Sequence, residues 1–166
     1  MYEIVKATDS HIEVYIQMNN IYPAWWETTI TVYNKFTDPQ TKVVRWYKTV
    51  ITGAFWKDIH EKVKIGQTVL ETNSIICRIR KDDRFLEKYL WVQKPNDEMA
   101  NYFTLGKGDI IIRGEVEDTI DEYQSGRRST DLIAKYKELQ GCMSIEESTI
   151  NVGAGRCNEH YLARGI

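Results

Sequence analysis

The chain is poor in the residues that staple, kink or anchor a protein. Its 166 residues include only three cysteines and three prolines. Cys77, Cys142 and Cys157 are odd in number and widely spaced, so they form neither a Cys-x-x-Cys pair nor a disulfide framework. They read as reduced thiols of a protein made in the cytosol. No apolar run approaches the ~18 residues that cross a bilayer, and Met1–Ala7 carries no run of signal-peptide length. Neither sign of charge dominates. The formal net charge is −2 and the pI is near 6.0, with acids and bases interleaved almost everywhere. That balance speaks against a general nucleic-acid binder, which needs a basic surface to neutralise phosphates. It speaks equally against a polybasic membrane anchor. No internal repeat and no low-complexity segment breaks the chain.

What is present is a series of short segments with strand character. Ring residues make up 11% of the chain, with five Trp and ten Tyr, and most fall in those segments, where rings pack well. His11–Met18 alternates strictly, with Ile12, Val14, Ile16 and Met18 on one side, as a half-buried strand does. Asn19-Asn20 and Pro23 end it. Trp25–Tyr33 is rich in β-branched residues and reads as the next strand. The turn signal Thr37-Asp38-Pro39-Gln40 then leads to a strand over Val43–Ile51. Gly53 is expected to separate this from a short strand over Ala54–Ile59. Lys62–Leu70 reads as extended with a bend at Gly66, Glu71–Ser74 as a turn, and Ile75–Arg80 as a strand.

Lys81–Tyr102 mixes rings with charges and holds Pro95-Asn96-Asp97. It reads as a long surface loop with a short strand over Tyr89–Val92, and loops of that length are functional or mobile. Gly106-Lys107-Gly108-Asp109 is a tight turn launching Ile110-Ile111-Ile112, which Gly114 closes. The helix is Ser129–Gln140, capped by Ser129, with Asp131 near its positive end and Gly141 as its stop. Leu132, Ile133, Tyr136 and Leu139 form its apolar stripe. Strands near Met143–Val152 and Glu159–Ala163 complete the chain. The expected fold is mostly β: a small β-barrel or sandwich of about seven or eight short strands with one helix and an N-terminal β arm. The expected division is an arm over residues 1–24 and a single domain over 25–166.

Catalytic patterns are weak. His11, His60 and His160 lie far apart and at no metal-site spacing. Cys157 and His160 are three apart, so a strand would turn them to different faces, and no third group orients them. The Gly-Lys-Gly-Asp turn lacks the Lys-Ser/Thr ending and the following helix of a phosphate loop. Paired acids such as Asp82-Asp83 and Glu146-Glu147 read as solvated charge, since nothing splits their pKa values. The expectation is no enzyme, no cofactor and no metal. The doublets Trp25-Trp26, Trp46-Tyr47 and Phe55-Trp56, with Tyr89-Leu90-Trp91, place rings on both faces of a strand. They are either core with cross-strand ladders or, in part, a surface for other chains.

Three stretches carry a resemblance. The first runs from Ile30-Thr31-Val32-Tyr33-Asn34 through Trp46–Ile51 to Gly53-Ala54-Phe55-Trp56. The second is Phe103-Thr104-Leu105 followed by Gly106–Gly114. The third is the ending, a short helix, a strand holding Ile150-Asn151-Val152, and His160-Tyr161. In this order they resemble small neck or connector proteins of Firmicute phages and prophages. Trp56, Gly108, Asp109, Gly114 and His160 are the motif positions, with structural roles. The first thirty residues fit less well, and Gly153–Cys157 replaces a more usual charged turn. The resemblance implies a ring-forming head-completion (stopper) or connector protein, in six or twelve copies, joining portal or adaptor to tail. DNA would pass its lumen without specific binding, no membrane would be involved, and the protein would occupy the virion neck after assembly in the host cytoplasm. A tail terminator or tail-completion protein is the alternative within the particle. An oligonucleotide-binding barrel is the alternative of another class. The candidate assembly contacts are Ile12, Val14 and Ile16, through strand addition by the arm, and Tyr89, Trp91 and Pro95 on the long loop.

Overall fold

The computed structural model of the chain describes residues 7–8, 11–12, 22–65, 67–123, 127–153 and 159–166. Strands β1 (Ala7–Thr8) and β2 (His11–Ile12) pair with each other. Six longer strands follow: β3 (Thr28–Thr37), β4 (Val44–Ile65), β5 (Thr68–Arg80), β6 (Ile110–Arg113), β7 (Cys142–Asn151) and β8 (His160–Gly165). They pair antiparallel in the order β3-β4-β5-β8-β7-β6, and β6 pairs back onto β3. The protein is therefore mostly β, and its sheet closes in a ring rather than dividing into a two-sheet sandwich. A short helix α1 (Lys88–Trp91) and a 3-10 turn (Met99–Asn101) lie between β5 and β6, and helix α2 (Ser129–Leu139) lies between β6 and β7.

Two apolar clusters hold this arrangement. The period-2 alternation of the strands sends one set of side chains inward. Ile30, Val32, Ile51, Trp56, Cys77, Ile79, Ile111 and Met143 meet in the first cluster, inside the ring. The second lies outside it. Tyr33, Ile110 and Ile112 pack there against Leu132 and Tyr136 of α2. The uninterrupted Ile110-Ile111-Ile112 run is thus a strand covered on both faces, which removes the need for alternation. Burying each such side chain contributes about 1.5–3 kcal/mol.

Several local expectations are corrected. Gly53 does not end a strand. It takes φ +81° inside the continuous β4, at the register shift where β4 leaves β3 and takes up β5. A side chain at Gly53 would meet the Arg80 stem at 3.0 Å. Glu71–Ser74 is not a turn but part of β5, and Ile65 pairs with Thr68. Gly66 lies outside the described residues. β3 starts at Thr28, after a turn in which Trp26 is buried and Trp25 is 69% exposed. Tyr89–Val92 is helical rather than extended. Arg128, not Ser129, occupies the cap position of α2 and makes no side-chain cap bond. Leu139, the last residue of α2, is exposed, and Leu132 and Tyr136 are the residues of the stripe that are buried.

Other turns follow their chemistry. Asp38 closes the β3–β4 hairpin by accepting from the amides of Gln40 and Thr41, each at 2.9 Å. Gly165 ends β8 against β7 so closely that a Cβ there would overlap the Ser144 carbonyl. Gly165→Ala is therefore expected to destabilise the ring by about 3 kcal/mol. A urea midpoint unchanged from wild type would contradict this β7–β8 register.

Candidate assembly surfaces

The Gly106–Asp109 turn is built around its own carboxylate. Asp109 is fully buried. Its Oδ2 accepts from the Gly106 amide at 2.8 Å and from Asn34 Nδ2 at 2.9 Å. Its Oδ1 accepts from the Lys35 amide at 2.8 Å and from Lys88 Nζ at 3.1 Å. Asn34, also buried, exchanges hydrogen bonds with the backbone of Thr104. Burial pushes the Asp109 carboxyl up, while the Lys88 ammonium and the Lys35 and Gly106 amides pull it down. The Gly106 amide of the turn is thus taken up by this internal anion. One carboxylate thereby joins β3, the turn and α1.

Lys88 starts α1, and the helix carries Trp91 inward. Trp91 is fully buried. Its ring meets Phe36 at 6.2 Å and Tyr47 at 5.6 Å, and its Nε1 donates to the Met99 carbonyl at 3.3 Å. At the other end of the segment Phe85 stacks on Tyr161 at 3.9 Å. The segment thus reaches from β8 to β3 and β4 and spans the mouth between them. The expectation that Trp91 meets a neighbour is corrected: it anchors the loop to its own ring. Tyr89 (58%), Leu90 (40%) and Val92 (42%) are the apolar residues left outside, and Pro95 is exposed beside them. Lys35, Lys88 and Lys107 line a cleft beside Val92. The acids Asp83, Glu87, Asp97 and Glu98 of the same segment are exposed. They form no ion pair among the described residues, whereas Arg84 is held by Asp82 and Lys88 by Asp109.

A second surface is a ribbon. The last pair of β5 with β8 is Ile75 with Gly165. Beyond it Ile59–Ile65 and Thr68–Ser74 continue as seven antiparallel pairs, with no third strand beside them among the described residues. At about 3.3 Å per residue the ribbon extends some ~23 Å. Lys62 and Glu71 pair across it at 2.8 Å, and His60 and Asn73 at 2.9 Å, all exposed. A lone two-stranded ribbon is marginal in water, and both its outer edges offer unpaired backbone groups.

The remaining motif positions are structural. Trp56 fills the interior and lies within 3.3 Å of where a Cβ on Gly141 would sit. Gly108 and Gly114 take φ +86° and +96°. His160 presents its ring to the edge of Trp26 at 5.6 Å and meets Asn151 at 3.1 Å. Ile12 belongs to the short β2, and Val14 and Ile16 lie outside the described residues, as does Cys157. Burial pushes the Cys77 and Cys142 thiols up to about 12, so both stay protonated and unreactive. Among the described residues no group of three His, Cys, Asp or Glu is placed to hold a metal. No helix among them is long and apolar enough to cross a membrane. Beside β7 a cleft of about 530 Å³ opens over Phe85, Leu105 and Tyr161, with Lys88 and Glu146 at its rim.

With this geometry in view, the family model of DUF6751, a family of unknown function, matches residues 25–165. The chain belongs to this family. DUF6751 thus covers the whole ring and leaves out the first 24 residues. No curated protein matches the chain, and no solved structure does.

The surfaces that sequence reasoning missed are the ribbon and the polar hub. Asn34, Lys88 and Asp109 are brought together from three separate segments, and no local spacing announces them. Asp109→Ala would strand Lys88, the Lys35 and Gly106 amides and Asn34. It should cost about 3 kcal/mol and raise the solvent exposure of Trp91. A loss under about 1 kcal/mol, with unchanged tryptophan emission, would remove the hub from the fold's supports.

A second cluster gives a pH dependence. Asp118 accepts from Lys135 Nζ at 2.8 Å and Tyr136 Oη at 2.7 Å, and pairs with Arg127. The bond from Lys135, then that from Tyr136, holds its carboxyl below the usual value of 3.8. A depressed folded value means stabilisation that is complete above the unfolded pKa of about 3.9 and is lost as pH falls through the folded one. Asp118→Asn should therefore be less stable than wild type at neutral pH, with the gap closing below about pH 4. A gap constant down to pH 2 would refute the linkage.

Proposed function

We propose that the chain is a ring-forming structural component of the neck of a tailed phage or phage-tail-like particle. In this reading it is a head-completion (stopper) or connector protein that joins portal or adaptor to tail. The observation that carries the reading is the β4–β5 ribbon, which continues past β8 with no strand beside it among the described residues. Such an arm is stable and useful when another chain covers it, and unpaired strand edges recruit neighbours by backbone pairing. Support also comes from the three stretches that resemble neck proteins, since they include the β3 and β4 segments, the Asp109 turn and β8.

Under this reading the loop across the mouth of the β ring is a tail- or portal-facing surface, and six or twelve copies of the chain make up the homo-oligomeric ring. A tail-terminator role uses the same features and differs only in which half of the particle holds the protein.

The test is mass spectrometry of separated heads, tails and whole particles from the producing strain. Recovery with DNA-filled, tailless heads is expected for head completion. Recovery with headless tails would assign the terminator role instead. Absence from every fraction would overturn the neck reading. A companion variant replaces Ile59–Ser74 with Asn-Gly. It should leave the ring folded, with a cooperative urea transition, yet fail to enter particles. Normal incorporation would show that the ribbon is not an assembly arm.

A further inference from the structure

The outer wall of the ring is covered unevenly. Helix α2 lies over Ile110 and Ile112, and the segment before it lies over β3 and β4, where Glu122 takes the Trp46 indole N–H at 3.1 Å and Val116 accepts from Lys48. The wall of β4, β5 and β8 has neither; among the described residues it is covered at one end, where Trp26 stacks on Phe55 at 6.1 Å and Tyr22 lies against the Arg80 guanidinium at 5.1 Å. Register partners in an antiparallel pair share a face. Phe55, Arg78 and Leu162 are partners in one row, and Lys57, Ile76 and Arg164 in the next. Both rows lie on the face opposite Trp56, Cys77 and Ala163, which are buried inside the ring. These six residues are three cations and three apolar groups, and Glu147, the β7 partner of Arg164, is an acid next to them in the second row. Arg78 rests over the Phe55 ring at 5.4 Å. Lys57, Arg78 and Arg164 form no ion pair among the described residues.

The loop around α1 is the opposite in sign. Asp83, Glu87, Asp97 and Glu98 are exposed in the same segment as Tyr89 and Leu90. Its own cations are occupied: Lys88 on Asp109, Arg84 on Asp82, and Lys94 over Tyr102 at 4.7 Å. Trp91 and Lys88 pin this loop to the ring mouth, so it cannot fold back onto the β4–β5–β8 wall of the same chain. We propose that the cationic β4–β5–β8 wall receives the acidic α1 loop of a second copy of the chain. This rests on the neck reading and supplies its subunit contact. The two surfaces are different, so the contact is heterologous. Each copy gives one and receives one, the arrangement that closes by rotation into a ring. Tyr89 and Leu90 supply the apolar centre against Phe55, Ile76 and Leu162, and the charges set register around them.

Sedimentation velocity of the full chain over a concentration series tests the contact. Wild type is expected to self-associate about tenfold more weakly when salt rises from about 50 to about 500 mM. The pair Lys57→Glu and Arg164→Glu should abolish association, and so should the pair Asp97→Lys with Glu98→Lys, each with an unchanged circular dichroism spectrum. Mixing the two variants should restore association, because each presents the charge that the other lacks. If either variant associates as wild type does, if wild type stays monomeric, or if the mixture stays dissociated, the contact is overturned. A short oligo-dT probe is included in the same series. If it binds wild type and is lost in the Lys57/Arg164 variant while self-association is untouched, the wall is a nucleic-acid surface and the proposal fails. Recovery of the chain in particle fractions alongside any of these failures would leave the neck reading standing. A positive charge swap with absence from all fractions would remove only the neck reading.

Discussion

The Asp109 carboxylate is the point on which the rest of the structure hangs. A buried carboxylate is costly unless each oxygen is met by donors, and here backbone amides from two segments, an asparagine and a lysine meet it. Those donors belong to β3, to the turn before β6 and to α1. Satisfying one charge therefore fixes where β6 begins relative to β3, which is the seam at which the ring closes. It also fixes the helix that carries Trp91 into the mouth. Hydrophobic burial supplies most of the stability, but it is not directional. The carboxylate supplies the direction.

Closing a sheet on itself normally removes the edges that invite other chains. This chain closes its ring and then extends two of its strands beyond it. β4 serves both purposes. Its first half pairs with β3 inside the closed ring and its second half runs on with β5 alone. Gly53 permits the transfer, because its positive φ allows the bulge at which β4 exchanges neighbours. A stable ring and an unsupported ribbon are thus consequences of one long strand, and evolution could alter the ribbon without disturbing the core.

The parts legible in the sequence were those in which one physical signal dominated. Ile30 and Val32 alternate with residues of the outer face, and β3 follows. Ile110-Ile111-Ile112 reads as a strand buried on both faces, and Leu132 with Tyr136 marks the inner stripe of α2. The mostly β architecture follows from these and from the spacing of turns. The misreadings have physical reasons. A glycine within a strand reads as a break unless its bulge is seen. Glu71–Ser74 is polar because the ribbon is solvated on its outer part, so a strand there resembles a turn. Trp91 sits among charges in sequence, and its burial depends on Phe36 and Tyr47 far along the chain. Asp109 was singled out as part of a motif, but the partners that give it meaning are separated from it by 75 residues at Asn34 and 21 at Lys88.

The uneven covering of the ring is the feature that most distinguishes a subunit from a self-contained domain. α2 and the segment before it close off one wall and convert it into a second core. Had the same cover extended round to β5 and β8, Lys57, Arg78 and Arg164 would be desolvated without partners, at a cost no packing would offset. Leaving them in water avoids that cost. It also leaves Phe55, Ile76 and Leu162 half-exposed between them, where a small apolar area contributes little alone but adds to affinity once charges bring a complementary surface into place. The acidic loop across the mouth has the matching composition and is held rigid by the Asp109 network, so docking it would order little that is not already ordered. The interaction that closes the fold is thus also the one that presents its outward-facing patch.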